Sequence, residues 1–345
     1  MRDDPNLRGK PLAVGGQPDQ RGVVATCNYE ARRFGIHSAM PMSQAVRRCP
    51  ELSIIRPNME KYRVASRQIL TIYRDYTDLV EPLSLDEAYL DVSQSPHHQG
   101  SATRIAQAIR ARISAEVGIT ASAGVAPNKF LAKVASDWHK PDGLFVILPD
   151  EVEAFVAALP VARLFGVGKV TAAKLHALGI QTCADMRAWT LPELMQRFGK
   201  LGNALYLLCR GVDQRQVMVS VERKSISVEE TYNIDLADLA ACRAELPALF
   251  ESLVARVERN HATEAIQKLH VKIRFADFHH TSVERIGKVM DLAVFNDLLE
   301  TGFQRSPQPV RLLGLGVRLA DEAPSQNETL GQQLPLFVNE QTPSQ

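Results

Sequence analysis

The chain lacks any run of eighteen apolar residues, so no segment is long enough to cross a bilayer as a helix. Its opening, Met1-Arg2-Asp3-Asp4-Pro5, has none of the apolar core that an export signal needs. No CxxC pair occurs, and the five cysteines (Cys27, Cys49, Cys183, Cys209, Cys242) are odd in number and widely spaced. That argues against a disulfide framework and a zinc site, and it reads as reduced thiols in a cytoplasmic protein. No internal repeat is visible. Charge excess is also lacking: 40 Lys and Arg against 39 Asp and Glu leave a net +1. Bulk charge therefore argues neither for nor against nucleic acid. Its distribution says more. Residues 321–345 hold Asp321, Glu322, Glu328 and Glu340 with no Lys or Arg, so the tail carries −4 and the rest +5. A mildly basic body suits phosphates through local patches, and it equally suits a neutral enzyme.

What is present is an average globular balance, 45% apolar and 23% charged, over 345 residues. That length suits several modules rather than one core. Leu12-Ala13-Val14 and Val23 to Thr26 read as short strands around a Gly/Pro/Asp loop. The pattern predicts a helix over 60–78, strands at 81–85 and 88–92 around Asp86-Glu87, and a helix over 102–117 with Ile105, Ile109 and Ile113 on one stripe. A strand at 119–125, a helix opened by Pro127 or Asn128 and a strand at 143–148 complete an α+β layer with helices on one face. Residues 150–215 read as helices broken at glycines, and a linker is expected near 212–222. Beyond it, strand-like pieces at 225–232, 269–275 and 310–319 enclose helical runs at 235–260 and 290–304. The last 25 residues read as disordered around one apolar knot.

Five constellations could carry chemistry. In Ser84-Leu85-Asp86-Glu87-Ala88-Tyr89 two adjacent carboxylates repel each other, and a divalent cation such as Mg²⁺ would relieve that; a solvated turn is the plainer reading. Thr120 to Lys129 is a small-residue strand leading to Lys129, Lys133 and Lys140, three cations suited to phosphates; a tight strand-to-helix packing joint explains it as well. Tyr29 and Arg32, three apart on a helical turn, suit a triphosphate clamp, though a surface pair is commoner. Gly166-Val167-Gly168-Lys169 between two helices offers backbone N–H groups to a phosphate. Gln333-Leu334-Pro335-Leu336-Phe337 stands alone in a polar tail, where it suits a docking peptide unless it folds back on the body.

Together and in this order, these segments resemble a Y-family DNA polymerase over about residues 1–320. Asn28 to Arg32 resembles the family's nucleotide-binding finger segment, and Ser84 to Tyr89 its catalytic palm motif. Ser122 to Lys129 and Lys140-Pro141-Asp142-Gly143 resemble the rest of the palm. Gly166 to Gly168 resembles the thumb, with Phe165 where the family usually has proline. Arg223-Lys224-Ser225 opens what is similar to the little finger, and Gln333 to Phe337 is similar to a sliding-clamp peptide. The resemblance implies a right-hand α+β multidomain fold: fingers at 1–58, palm at 59–148, a helix-hairpin-helix thumb at 150–213, a little finger at 221–320 and a tail at 321–345. It implies template-directed addition of dNTPs to a primer 3′ end with two Mg²⁺ ions, of the translesion type. Asp86 and Glu87 would hold metal, with Glu87 catalytic. Thr26, Tyr29, Arg32 and Lys140 would hold the dNTP, and Gly166, Gly168, Lys169 and Lys224 the DNA. Gln333, Leu334, Leu336 and Phe337 would dock on the clamp. The expected partners are primer-template DNA, dNTPs and the sliding clamp, for a monomer that avoids membranes.

One departure is large. The family opens with a palm strand carrying another metal-binding aspartate and the aromatic residue that excludes ribonucleotides, and this sequence begins past both. Without that strand, its neighbours would be left with unpaired backbone groups. The expectation is a start codon upstream of Met1, and the alternative is a catalytically dead DNA- and clamp-binding remnant.

Overall fold

The structure, a computed structural model, describes residues 1–220 and 223–320. Contacts divide these into two units. The first takes 1–15, 24–39 and 48–220; the second takes 16–23, 40–47 and the described chain from 223 onward. Among the described residues no helix is long and apolar enough to cross a membrane. All five cysteines are free and buried.

The first unit opens on a three-stranded sheet. β1 (Leu12–Gly15) pairs antiparallel with β2 (Val24–Cys27) and parallel with β3 (Ser53–Ile55). β3, set between Pro50 and Pro57, is too short for its period to show in the sequence. Helix α1 (Tyr29–Arg32) starts on Asn28, whose carboxamide oxygen accepts from Ala31 N–H at 3.0 Å and from Leu12 N–H at 2.9 Å. One cap therefore fastens the helix to the sheet. α2 (Met42–Arg48), nearly all of it in the second unit, comes next in the chain, and then α3 (Met59–Arg74), which Asn58 caps.

Next come the hairpin β4 (Val80–Pro82) and β5 (Ala88–Leu90), α4 (Ala102–Arg112) with a π-helical turn to Val117, β6 (Ala123–Val125), α5 (Lys129–Trp138) and β7 (Leu144–Val146). Ile105, Ile109 and Ile113 are buried against Ile72 of α3, as their spacing predicts. The sheet layer differs from the expectation. β4–β5 and β6–β7 form two separate two-stranded sheets, not one. Each of β5 and β6 is paired on one side alone, and a cavity of about 990 Å³ is lined by both. Gly124 shows why the residues here are small. A Cβ on it would collide with the Ala132 carbonyl and the Ser136 N–H, so β6 rests directly on the backbone of α5.

Five helices complete the unit: α6 (Val152–Ala157), α7 (Lys169–Ala177), α8 (Cys183–Arg187), α9 (Leu191–Phe198) and α10 (Lys200–Leu208). Thr182 with Asp185 and Thr190 with Glu193 form capping boxes on α8 and α9. Leu159, Leu164, Leu175, Ile180, Leu194 and Leu205 pack in their core. Regular helix ends at Leu208, short of the predicted 215.

The second unit runs β8 (Ser225–Leu236), α11 (Leu239–Arg259), β9 (Ile266–Phe275), β10 (His280–Ile286), α12 (Leu292–Phe303) and β11 (Val310–Leu319). Its antiparallel sheet has the order β10-β9-β11-β8. Alternation along β9 buries Leu269, Val271, Ile273 and Phe275 in one core with Leu253 of α11 and Phe295 of α12, and turns Lys268, His270, Lys272 and Arg274 the other way. β10 was not expected from the sequence. The clamp-peptide residues Gln333, Leu334, Leu336 and Phe337 lie outside the described residues.

Candidate active site

The β4–β5 hairpin presents the paired carboxylates. Val80 faces Leu90 and Glu81 faces Tyr89 across the ladder, and Leu83 N–H donates to the Glu87 carbonyl at 2.9 Å to close the turn. Asp86 is exposed and Glu87 half-buried. Their repulsion is relieved by neighbours on the chain. The Ser84 hydroxyl donates to Asp86 Oδ1 at 2.6 Å, and the Lys133 ammonium donates to Glu87 Oε1 at 2.6 Å. Lys133 projects from α5, which Asn128 caps by accepting from Leu131 N–H at 3.1 Å.

Thr26, Asp86, Glu87, Lys133 and Lys140 all line the 990 Å³ cavity. The structure thus brings together five of the sequence-predicted residues, with Lys133, expected to meet phosphates, paired to Glu87 instead. Lys140 lies in the loop after α5, where its ammonium reaches Asp137 at 2.5 Å. That hydrogen bond pushes the lysine above its ordinary pKa against the opposing effect of burial, and the charges of Asp137, Glu87 and Tyr29 add to it. Arg110 of α4 anchors the loop, donating to the carbonyls of Ala121 at 2.7 Å and Asp142 at 2.6 Å and to the Asp142 carboxylate at 2.7 Å. Tyr29 and Arg32 are a pair, the guanidinium 5.7 Å from the ring centroid, and both are exposed.

Lys129 departs from the sequence reading. Of three cations expected to meet phosphates, it alone is buried, its ammonium 2.6 Å from Glu81 Oε2 and 4.9 Å from the Tyr89 ring centroid. A signal for this exists in the sequence. Lysine at the first position of a helix opposes the macrodipole, and glutamate inside a short apolar strand is out of place. Each anomaly is the other's partner.

The remaining predicted residues lie elsewhere. Gly166, with φ of +82°, makes the turn before α7, and Gly168 is its N-cap with no side-chain hydrogen bond, leaving the first N–H groups of α7 without that cap. Lys169 begins that helix and is exposed. Lys224 precedes β8 in the second unit, its carbonyl accepting from Leu319 N–H at 2.9 Å. The structure does not bring these four to the cavity.

Asp86 and Glu87 offer hard oxygen donors, and among the described residues no group of three or more His, Cys, Asp or Glu side chains forms a metal site. Mg²⁺ keeps much of its water shell and is commonly held by one or two carboxylates together with substrate phosphates. The pair fits that use.

The comparisons with known proteins agree along the chain. Residues 1–137 match the impB/mucB/samB family, 162–213 the DNA polymerase-iota thumb domain, and 223–330 the impB/mucB/samB family C-terminal domain. The chain is 65% identical over 319 residues to DNA polymerase IV of Ralstonia nicotianae, covering 92% of this chain and 89% of the relative. It is 58% identical over 321 residues to DNA polymerase IV of Pseudomonas putida, covering 93% and 91%. Among solved structures it resembles a Y-family DNA polymerase chimera of Dbh and Dpo4, with TM-score 0.83, 30% identity, and 91% and 93% coverage. It also resembles an insertion ternary complex of Dbh DNA polymerase, with TM-score 0.63, 29% identity, and 92% and 94% coverage. With family matches along most of its length and relatives this similar, the chain belongs to the impB/mucB/samB family, the Y-family DNA polymerases.

Proposed function

We propose that this protein adds dNTPs to a primer 3′ end on a DNA template, tolerates damaged templates, and does its chemistry in the cavity beside the β4–β5 hairpin. The observation that carries the reading is the convergence on one cavity of Asp86, Glu87, Thr26 and Lys140, drawn from three separate stretches of chain. Asp86 and Glu87 would be the protein's oxygen donors to two Mg²⁺ ions. Bound Mg²⁺ supplies the charge that steadies the attacking and leaving oxygens of phosphoryl transfer. Glu87 would hold the cation at the primer end and help activate the primer hydroxyl, displacing Lys133 from its Oε1 as it does so. Thr26, Tyr29, Arg32 and Lys140 bind the triphosphate; the lysine, raised in pKa, stays cationic throughout the neutral range.

Gly166, Gly168 and Lys169 meet the DNA backbone at the start of α7, and Lys224 adds a further phosphate contact, so affinity falls as salt rises. The peptide Gln333 to Phe337 docks on the sliding clamp. We place the protein in the cytoplasm as a monomer, with fingers, palm, thumb and little finger at 1–58, 59–148, 150–213 and 221–320.

Primer extension tests the reading. Glu87→Ala should cut Mg²⁺-dependent extension by roughly 10³-fold, because it removes charge at the reacting oxygens. Affinity for primer-template should stay within about twofold, since that grip comes from backbone contacts elsewhere. Unchanged extension by the variant would refute the assignment. A wild-type chain that binds primer-template and never extends it would return the remnant reading.

A further inference from the structure

Between α10 and the second unit, the chain reads as a spacer in sequence, yet it is tied down at Gly211, Asp213, Arg215, Gln216 and Met218. Gly211 turns the chain with φ of +76°, and a Cβ there would meet Val152 Cγ1 at 2.6 Å. Its carbonyl accepts from Asn128 Nδ2 at 2.8 Å. Asp213 Oδ2 accepts from Phe130 N–H at 2.9 Å and, with Oδ1, from Arg215 at 2.8 Å; the Arg215 guanidinium in turn lies 4.2 Å from the Phe165 ring centroid. Lys129 Nζ then donates to the Gln216 carbonyl at 3.0 Å, and Met218 N–H donates to Glu81 Oε2 at 2.7 Å. Residues 213–217 run along the same cavity as Asp86 and Glu87.

The Glu81–Lys129 pair is the centre of this attachment. Both residues are buried, at 7% and 8% exposure. Burying two ions costs most of what their attraction returns, and an apolar pair of similar size is often as stable or more so. Stability alone therefore does not account for it. What the ions supply is direction. Lysine has three donors: one goes to Glu81, one to the connector at Gln216, and the ammonium also sits over Tyr89. Glu81 Oε2 accepts from Lys129 and from the connector at Met218. Burial, the largest single influence, would raise the pKa of Glu81, but those two hydrogen bonds together with the charges of Lys129 and Arg215 outweigh it and lower the pKa. Glu81 stands in β4 of the hairpin that carries Asp86 and Glu87.

We propose that Glu81 and Lys129 are positioning residues: a buried clasp that fastens the connector at 213–218 to the catalytic hairpin, so that the two keep one geometry. Its effect on catalysis rests on the polymerase reading; the fastening does not. Loosening the clasp lets the hairpin shift, which moves the carboxylates away from the reacting atoms without touching Thr26, Tyr29, Arg32 or Lys140.

The test is the double substitution Glu81→Met with Lys129→Met in the full chain, beside the single Glu81→Gln. The double variant replaces the pair by apolar volume and should melt within a few degrees of wild type. It should nonetheless lose protection of the Met218 amide by at least about tenfold in deuterium exchange measured without DNA or nucleotide. In primer extension its kcat should fall by about 10²-fold while KM for dNTP changes little, as a small displacement of reacting groups does. Glu81→Gln keeps an acceptor for Met218 and should retain more of that protection than the double variant. Wild-type protection at Met218 in the double variant overturns the clasp. Released protection with unchanged kcat overturns the positioning role. The exchange arm is read whether or not the chain polymerises.

Discussion

Lys133 and Glu87 make an ion pair, and that pair sets a sign for metal affinity. Substituting Lys133→Met removes the competing cation and leaves two adjacent carboxylates with unrelieved repulsion. The side chains are 33% and 40% exposed, so water screens the pair, and its 2.6 Å length does not justify a buried-pair energy. An exposed pair is worth about 0.2–1 kcal/mol. Metal that takes Glu87 must first displace Lys133, so removing the lysine should tighten divalent binding by about 1.4- to 5-fold, from the same energies at room temperature. Removing a positive charge near a dication acts in the same direction. Mn²⁺ serves as the probe, titrated by electron paramagnetic resonance against DNA-free wild type and variant. The difference should shrink at 1 M salt, where the screening length falls to about 3 Å. In a Glu87→Gln background Lys133→Met should change less, because the pair is already gone and only the lysine's own charge is removed. Weaker or equal Mn²⁺ binding by the single variant would refute the account of how these carboxylates tolerate each other.

Two more outcomes follow from the same geometry. Gly124→Ala pushes a methyl into the backbone of α5 at Ala132 and Ser136, so it should cost about 3 kcal/mol, at the upper end for overpacking, and lower the melting temperature measured by calorimetry. In the tail, Leu336→Ala with Phe337→Ala should remove micromolar binding to the sliding clamp, on the order of −8 kcal/mol, while leaving affinity for bare primer-template unchanged; equal clamp binding by calorimetry would show that the peptide is not the docking element.

What the sequence made legible follows from how many residues share a signal. α4 was readable because Ile105, Ile109 and Ile113 repeat on one helical stripe, and β9 because Leu269, Val271 and Ile273 alternate. β10 was not. As an edge strand its outer face is polar, and its inner positions include Thr281 and Val283 instead of a run of large apolar residues. The division of the expected layer into two strand pairs was equally hidden, since pairing depends on which backbone edges meet and not on composition. Asp86, Glu87, Thr26 and Lys140 were found through the motifs that carry them, and the cavity gathers all four. Lys129 was misread for a general reason: lysine is almost never buried, so a cationic motif is taken for a solvated or phosphate-binding one. The connector was misread because its anchors are side chains 83 to 137 positions away, beyond any local pattern.

Lys129 and Lys133 also explain each other. They stand four apart on α5, about 6 Å along the axis and on one face. Glu81 and Glu87 share one face of the hairpin. Glu81 lies in the rung with Tyr89, and Glu87 lies two rungs on, across from Leu83, which is about 6.6 Å along a strand. The helical repeat and the strand repeat therefore coincide, and each lysine meets its own carboxylate at 2.6 Å. A single ion pair would let the hairpin pivot on the helix; two at matched spacing do not. A one-residue slip in strand register would turn Glu81 to the opposite face and leave Lys129 buried without a partner, which costs far more than the pair returns. The inner pair thus fixes the register in which the outer carboxylates face the cavity. The outer pair, only half-buried, can open to admit a cation while the inner one holds.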